Sequence, residues 1–121
     1  MFIKSVEWID KDAKEAEIIV SDGKFDILCF SHPFTENVTD KLLEPIYCFD
    51  VTDIMITIKS QLLVNRDGNS YRYFVRGRLF DKSNKMVKVG ELALCFENMD
   101  VIEEGEGRAG FCRNNDFTRV R

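Results

Sequence analysis

The sequence predicts an all-β domain, a small antiparallel barrel of six or seven strands with one short helix after the third strand. Three observations carry this prediction. Runs of β-branched and aromatic residues recur along the chain, turn residues such as Asp, Asn and Gly separate them, and helical periodicity is nearly absent. Because so many strands in 121 residues must stack or close, and closure removes exposed edges, a barrel is favoured.

The first three strands are predicted in the N-terminal quarter of the chain, over residues 2–9, 15–20 and 25–30. In the second run, Glu15 and Glu17 alternate with Ala16 and Ile18, which is typical of a half-buried strand. The stretch 21–24 contains Asp-Gly, which tolerates the positive φ angles of a tight hairpin turn. The second and third strands are therefore predicted to form a hairpin.

The short helix is predicted between the third strand and Pro45. Thr35 or Asn37 would cap a helix over residues 38–43. This helix must end before Pro45, because the residue ahead of a proline avoids the α region. We expect two helical turns at most.

The second half of the domain is predicted to be strands and turns. The stretch from Ile46 to Val64 is too long for one flat strand, so we expect it to bend or split near residues 59–61. Two further strands and the turn before each are predicted from the remaining pattern: a turn at 66–69, a strand over 71–80, a turn at 81–85 and a final strand over 86–96.

This element order, three strands, a short helix and then a hairpin of strands, resembles that of an OB-fold barrel over most of residues 1–97. The resemblance is one of order and includes no sequence motif. It implies an OB-like barrel whose ligands would be single-stranded nucleic acids or oligosaccharides. Such a likeness between folds does not by itself assign a function.

The domain is predicted to end near residue 100. Residues 103–107 form an acidic, glycine-rich linker, and residues 108–121 carry four Arg against one Asp with scattered apolar residues. We therefore predict a single β-barrel domain over 1–100 and a linker with a basic, mobile tail over 101–121, ordered only by a partner.

Composition restricts the partners and the compartment. The net charge of −4 excludes a whole-surface attraction to nucleic acid or to an anionic membrane, so any such contact must be local. The N-terminus lacks the apolar run of a signal peptide and no segment reaches membrane-spanning length, so a cytoplasmic location is expected. Four cysteines, Cys29, Cys48, Cys95 and Cys112, lack metal-ligand spacing, and neither metal nor cofactor is expected.

No catalytic constellation is evident. His32 is the only histidine and the obvious candidate for acid–base chemistry, but it sits before a proline at a strand exit with only Cys29 and Ser31 nearby as nucleophiles. The carboxylate pairs Asp10/Asp12 and Asp50/Asp53 lie in no metal or glycosidase motif and are interpreted as solvated surface charge. A non-catalytic protein is therefore predicted.

The most informative segment is the strand predicted over 71–80. Period two places Tyr71, Tyr73, Val75, Gly77 and Leu79 on the core face. The opposite face carries three guanidinium groups and two aromatic rings, the candidate binding residues Arg72, Phe74, Arg76, Arg78 and Phe80. The alternative is that these arginines pair with carboxylates across the strands while Phe74 and Phe80 pack beneath the helix.

Three kinds of partner follow. The main prediction is a non-catalytic module that binds a protein partner; the arginine and phenylalanine strip suits an acidic partner, and the net charge suits an immunity-like or inhibitor-like role against a basic toxin or nuclease. The alternative is an OB-like module that binds single-stranded nucleic acid or an oligosaccharide through the same strip. A homodimer through Leu62, Leu63 and Val64 is also possible, because consecutive apolar residues must place at least one outward.

Overall fold

The computed structural model describes residues 1–48, 51–56, 61–96, 109–114 and 118–120. The described part of the chain is all-β and contains no helix, so it includes no apolar helix of membrane-spanning length. The strands in chain order are β1 (Phe2–Asp10), β2 (Glu15–Ser21), β3 (Asp26–Ser31), β4 (Ile46–Cys48), β5 (Val51–Ile56), β6 (Leu63–Arg66), β7 (Tyr73–Asp81), β8 (Met86–Val89), β9 (Leu92–Phe96), β10 (Ala109–Asn114) and β11 (Thr118–Val120).

The strands follow one hydrogen-bonded order, β1-β2-β3-β11-β4-β9-β8-β7-β10-β5, and β6 pairs with β7 beside this path. The strands β1-β2-β3 form one antiparallel meander and β7-β8-β9 form another. Between them, β11 runs parallel to β3 and β4 runs parallel to β9. The sheet therefore joins strands that are far apart in sequence.

Strand β7 is paired along both of its edges. One of its edges pairs with β10 from Tyr73 to Arg78. Because a strand has only two edges, β6 and β8 share the other one: β6 pairs with its first half and β8 with its second half. Gly77 lies where the partner changes, and a Cβ there would come within 2.5 Å of the Lys88 carbonyl oxygen. Part of this β-structure is curled into a half-barrel.

The core lies on the inner faces of the strands, where period-two alternation buries every second residue. In β2 the alternation buries Ala16, Ile18 and Val20 and leaves Glu15 and Glu17 half-buried on the outer face. The remaining strands and the segment after β3 complete the core with these residues: Ile3, Ile27, Cys29, Phe34, Leu42, Ile46, Cys48, Tyr73, Val75, Leu79, Val87, Val89, Leu92, Leu94 and Phe96. Burial of this set supplies the main favourable term in folding.

The predicted turns at 21–24, 66–69 and 81–85 are confirmed. Each joins two antiparallel strands, β2 to β3, β6 to β7 and β7 to β8. Gly23 and Gly68 have φ angles of 93° and 59°, a region that glycine adopts without a steric penalty. Local turn chemistry therefore located these hairpins correctly.

The predicted helix over 38–43 is wrong. The segment instead runs along the first residues of β1: the Ile3 amide donates to the Asp40 carbonyl oxygen, the Thr39 amide donates to the Ile3 carbonyl oxygen, and the Leu42 amide donates to the Met1 carbonyl oxygen. The backbone amide and carbonyl groups that would bond to each other in a helix therefore form hydrogen bonds with β1, a strand at the edge of the sheet. Asn37 does not cap a helix, because its amide donates to the Asp40 carboxylate within a turn.

The predicted number of strands is also too low, for two reasons. The final strand predicted over 86–96 is a hairpin, in which Gly90, with a φ of 61°, and Glu91 connect β8 to β9. The stretch from Ile46 to Val64 contains the strands β4 and β5 and the start of β6, and the split predicted at 59–61 falls partly outside the described residues. The predicted domain boundary near residue 100 lies wholly outside them, and from the C-terminal segment the sheet contains β10 and β11.

Strand β1 lies at one end of the strand order and keeps an open edge. Beyond Ile3, its outer edge forms no backbone hydrogen bond with any described residue. Its pairing with β2 shifts register twice, between Ile3 and Ser5 and between Trp8 and Asp10. Trp8 packs edge-on against Phe34, with ring centroids 5.6 Å apart, yet stays 40% exposed.

Candidate binding surface on strands β7 and β8

The two faces of β7 have the alternation that the sequence predicts. Tyr73, Val75 and Leu79 are buried on the inner face together with Gly77. On the outer face, Phe74 and Arg76 are half-buried, whereas Arg78 and Phe80 are exposed. The outward side chains thus become progressively more accessible towards the C-terminal half of the strand, which is the half that pairs with β8.

Arg78 lies directly opposite Lys88 of β8, and both side chains are exposed. Two cations that face each other across antiparallel strands repel each other and destabilise the pair. Phe80 follows two positions later and is 47% exposed. The Lys88 Nζ lies 5.7 Å from the centroid of the Phe80 ring, within the range of a cation–π interaction. We call Arg78, Phe80 and Lys88 the β7–β8 basic surface.

Little negative charge compensates this surface. Lys88 Nζ lies 4.0 Å from a carboxylate oxygen of Glu91, at the limit of an ion pair, and 77% of the Glu91 side chain is exposed. Among the described residues, no carboxylate lies within ion-pair distance of Arg76 or Arg78. The alternative prediction is that these arginines form ion pairs with carboxylates across the strands. Within the described strands, Arg76 and Arg78 do not form such pairs.

Arg76 is held differently from Arg78. Its Nη1 donates to the Gln61 carbonyl oxygen at 3.3 Å, ahead of β6. Its Nε is buried without a hydrogen-bond partner among the described residues. This guanidinium group is therefore partly committed to the contact between β6 and β7, and it borders the basic surface rather than forming its centre.

The remaining two candidate residues lie at the other end of the strand. Arg72 is exposed but precedes β7, and Phe74 is half-buried opposite Asn65 of β6. At about 3.3 Å per residue, Arg72 and Phe80 are separated by roughly 26 Å along the strand. The structure therefore brings Arg78 and Phe80 together with Lys88 and leaves Arg72 and Phe74 at a distance.

Lys88 is the residue that sequence reasoning missed. The sequence does indicate that Lys88 points outward. It stands between the apolar residues Val87 and Val89, so its side chain must lie on the face opposite theirs. Its position relative to Arg78 depends on the pairing register of β7 with β8, which contains a shift between Leu79 and Asp81. A shift of this kind cannot be read from alternation alone.

The other candidate residues lie elsewhere. His32 is exposed just after β3, with its ring centroid 6.5 Å from that of Phe30. Leu62 and Val64, proposed for a homodimer, pack against the core, and Leu63 is half-buried opposite Arg76. Within the described residues, no three His, Cys, Asp or Glu side chains are grouped as metal ligands would be.

Comparison of the chain with protein-family models, with curated proteins and with solved structures gives no significant match.

Proposed function

We propose that this protein is a non-catalytic binding module that recognises an acidic segment of a protein partner through the β7–β8 basic surface. The observation that carries the proposal is the pairing of Arg78 with Lys88, two exposed cations in cross-strand register beside an exposed phenylalanine ring. Such a pair costs about 0.2–1 kcal/mol in the unbound protein. A carboxylate placed between the two cations removes this repulsion on binding.

The chemistry of the three side chains supports a peptide as the ligand. The Arg78 guanidinium can hold a carboxylate through two parallel hydrogen bonds, and the Lys88 ammonium can neutralise a second one. Phe80 offers an aromatic contact for an apolar side chain of the partner, as do the anchors at the centre of many interfaces. A surface of three residues is small, so a weak, salt-sensitive and transient association is expected.

A role as an inhibitor of a basic protein would need a different surface. The net charge of −4 attracts a basic partner at long range. Arg78 and Lys88 would repel such a partner at contact. The β7–β8 basic surface therefore favours an acidic partner, while the average charge of the protein keeps non-specific binding of polyanions low.

The second candidate is the OB-like module that binds single-stranded nucleic acid or an oligosaccharide. The exposed Phe80 ring next to Arg78 and Lys88 is the observation in its favour, because cations bind the phosphate backbone and rings stack on bases. If this second candidate is correct, we expect the strands to form a closed barrel of OB type.

Fluorescence anisotropy separates the two candidates. A labelled twelve-residue peptide of alternating Glu and Leu and mixed-sequence DNA and RNA twelve-mers would each be titrated with about 1 μM to about 1 mM protein. Each titration would be repeated at about 50 mM and about 200 mM salt. We expect the peptide to bind more tightly than the oligonucleotides and to weaken with salt.

Variants locate the site of binding. Arg78→Ala, Phe80→Ala and Lys88→Ala should each weaken peptide binding by about threefold to tenfold. Lys11→Ala is the matched control, since Lys11 is an exposed cation in the turn between β1 and β2. Tighter binding of the oligonucleotides that is lost in Phe80→Ala would support the OB-like candidate, and absence of peptide binding at low salt would contradict the main proposal.

A further inference from the structure

A second charged pair lies on the outer face of β1 and β2. Glu7 is directly opposite Glu17, so two carboxylates face each other across antiparallel strands as Arg78 and Lys88 do on β7 and β8. Glu7 is exposed and Glu17 is half-buried. Among the described residues, neither forms an ion pair. We call Glu7 and Glu17 the β1–β2 acidic surface.

The Glu17 carboxylate is held in place by a hydrogen bond. The Tyr71 hydroxyl donates to Glu17 Oε1 at 2.5 Å. Burial raises the pKa of Tyr71 well above its usual value, and the hydrogen bond to Glu17 raises it further, so the tyrosine keeps its proton at neutral pH. Glu17 is therefore a positioned acceptor next to the exposed Glu7, and Phe30 of β3 lies in register on its other side.

The two surfaces cannot neutralise each other within one chain. Both lie on outer faces, since their strands bury Ala16, Ile18, Val87 and Val89 on the other side. In the strand order, four strands separate β2 from β8. Any contact between the β7–β8 basic surface and the β1–β2 acidic surface must therefore form between two copies.

We propose that a second copy of this chain is an acidic partner of the β7–β8 basic surface, so that the chains associate head to tail. Both surfaces are cross-strand pairs, with the same spacing of about 4.5–5.5 Å between Cβ atoms, so two cations can meet two carboxylates. Exposed Phe80 flanks the cations and half-buried Phe30 flanks the carboxylates, so each side carries an aromatic ring. The proposal rests on the proposed function, because it uses the same basic surface and names its occupant.

This contact is heterologous, since the surface contributed by one copy differs from that contributed by the other. Heterologous contacts build rings when the rotation closes and open chains when it does not. The net charge of −4 on each copy opposes association at long range. At physiological salt this repulsion is screened beyond about 8 Å, whereas the exposed contact pairs lie closer together and are weakened as the salt concentration rises further. The association is therefore weak and depends strongly on salt.

Sedimentation velocity tests the proposal with the full chain. At about 50 mM salt the weight-average mass should rise above 14.1 kDa as the protein concentration increases from about 10 μM to about 1 mM. At about 500 mM salt it should return to the monomer value. A mass of 14.1 kDa at every concentration at low salt would overturn the proposal.

Two charge reversals make the test specific. Arg78→Glu removes the basic surface and Glu7→Arg removes the acidic one, so each variant alone should be monomeric. When mixed in equal amounts they should form a dimer that grows no further, because each variant supplies the surface that the other lacks. A symmetric contact through one surface predicts a different result, in which one of the two variants still associates alone.

We expect both charge-reversal variants to remain folded, so that their failure to associate can be assigned to the altered surfaces. Each reversal places opposite charges in cross-strand register, Glu opposite Lys88 or Arg opposite Glu17, so neither variant should be less stable than the parent. Thermal unfolding followed by circular dichroism checks this point. A mixture that stays monomeric while both variants are folded would overturn the proposal.

The outcomes also separate this inference from the proposed function. The label is on the peptide, so anisotropy reports peptide binding, whereas sedimentation of the protein without peptide reports self-association. Peptide binding by a chain that stays monomeric at all concentrations would overturn the head-to-tail contact and leave the acidic-partner proposal intact. Salt-sensitive association that Arg78→Glu abolishes, without peptide binding, would support the head-to-tail contact alone.

Discussion

The Asp22 carboxylate accepts a hydrogen bond from the Glu91 amide, with 2.9 Å between Asp22 Oδ2 and the Glu91 nitrogen. The other carboxylate oxygen accepts from the amides of Lys24 and Phe25, at 2.9 and 2.7 Å. One side chain thus closes the turn between β2 and β3 and joins it to the turn between β8 and β9. These two turns are far apart in sequence, and the Asp22 carboxylate holds them together.

Replacing Asp22 by Ala should lower the stability of the protein. The change removes the acceptor of three backbone amides, one of them in the distant β8–β9 turn. We expect a loss of about 1–3 kcal/mol in the free energy of unfolding, measured by urea denaturation. Asp12→Ala serves as the control, because Asp12 is exposed in the β1–β2 turn and should change stability by less than about 0.5 kcal/mol.

Stability should fall at acidic pH, in part through Asp22 and Asp26. Burial acts to raise the pKa of Asp22, but the amides of Phe25, Glu91 and Lys24 outweigh it and hold the pKa below the ordinary 3.8. Hydrogen bonds from Lys4 and Ser21 lower the pKa of Asp26. The unfolded chain therefore binds protons at a higher pH than the folded one, and stability present above about pH 4 is lost as the pH falls through the folded-state pKa values.

The melting temperature between about pH 6 and about pH 2.5 measures this effect. Asp22→Asn removes one of the titrating groups, so the difference in melting temperature between the parent and this variant should shrink as the pH falls below about 4. A difference that stays constant over this range would show that the Asp22 charge does not contribute.

Gly77→Ala should destabilise the contact between β7 and β8. A Cβ at this position would lie 2.5 Å from the Lys88 carbonyl oxygen and under 3 Å from methyl groups of Val87 and Val89. Since the nearest atom belongs to the backbone of β8, the strands must separate, at a cost of about 3 kcal/mol. Chemical denaturation measures the loss.

Gly68→Ala isolates the contribution of backbone strain. Gly68 has a φ of 59° and would place a Cβ in open space. The expected cost is about 1 kcal/mol, from the left-handed conformation alone. If both substitutions cost the same, the close approach of β8 to Gly77 is not the reason for a glycine at that position.

Tyr73→Phe should loosen β3. The Tyr73 hydroxyl accepts a hydrogen bond from the Leu28 amide at 2.8 Å, and its ring is buried in the core. The substitution keeps the ring and removes the acceptor, so we expect a loss of about 1–2 kcal/mol and faster hydrogen exchange at Leu28. Tyr71→Phe is the comparison variant, because Tyr71 donates to Glu17 and should leave the exchange of Leu28 unchanged.

Local features of the sequence predicted local features of the fold. The Asp-Gly dipeptide at residues 22 and 23 identified the β2–β3 hairpin, because a turn depends on the backbone conformation of its own residues. The alternation in β7 identified which side chains point outward. Both predictions depend on neighbours in sequence and not on distant strands.

The errors have a common physical cause. Thr35 and Asn37 are good capping residues, yet the backbone at Thr39 and Asp40 pairs with Ile3 of β1 instead of forming a helix. The parallel pairing of β4 with β9 has no local signal, since it joins residues from different halves of the chain. Lys88 was missed for the same reason, because a pairing register determines its place opposite Arg78.

The open edge of β1 bears on how copies of this chain can meet. The two register shifts in β1 break the regular spacing of amide and carbonyl groups that an added strand would need, and charged Lys4, Glu7 and Asp10 occupy the same strand. Exposed Trp8 and Ile9 would otherwise make this edge a template for fibril growth. The irregular edge thus disfavours association by strand addition and leaves the charged faces for the proposed head-to-tail contact, which would be reversible and weakened by salt.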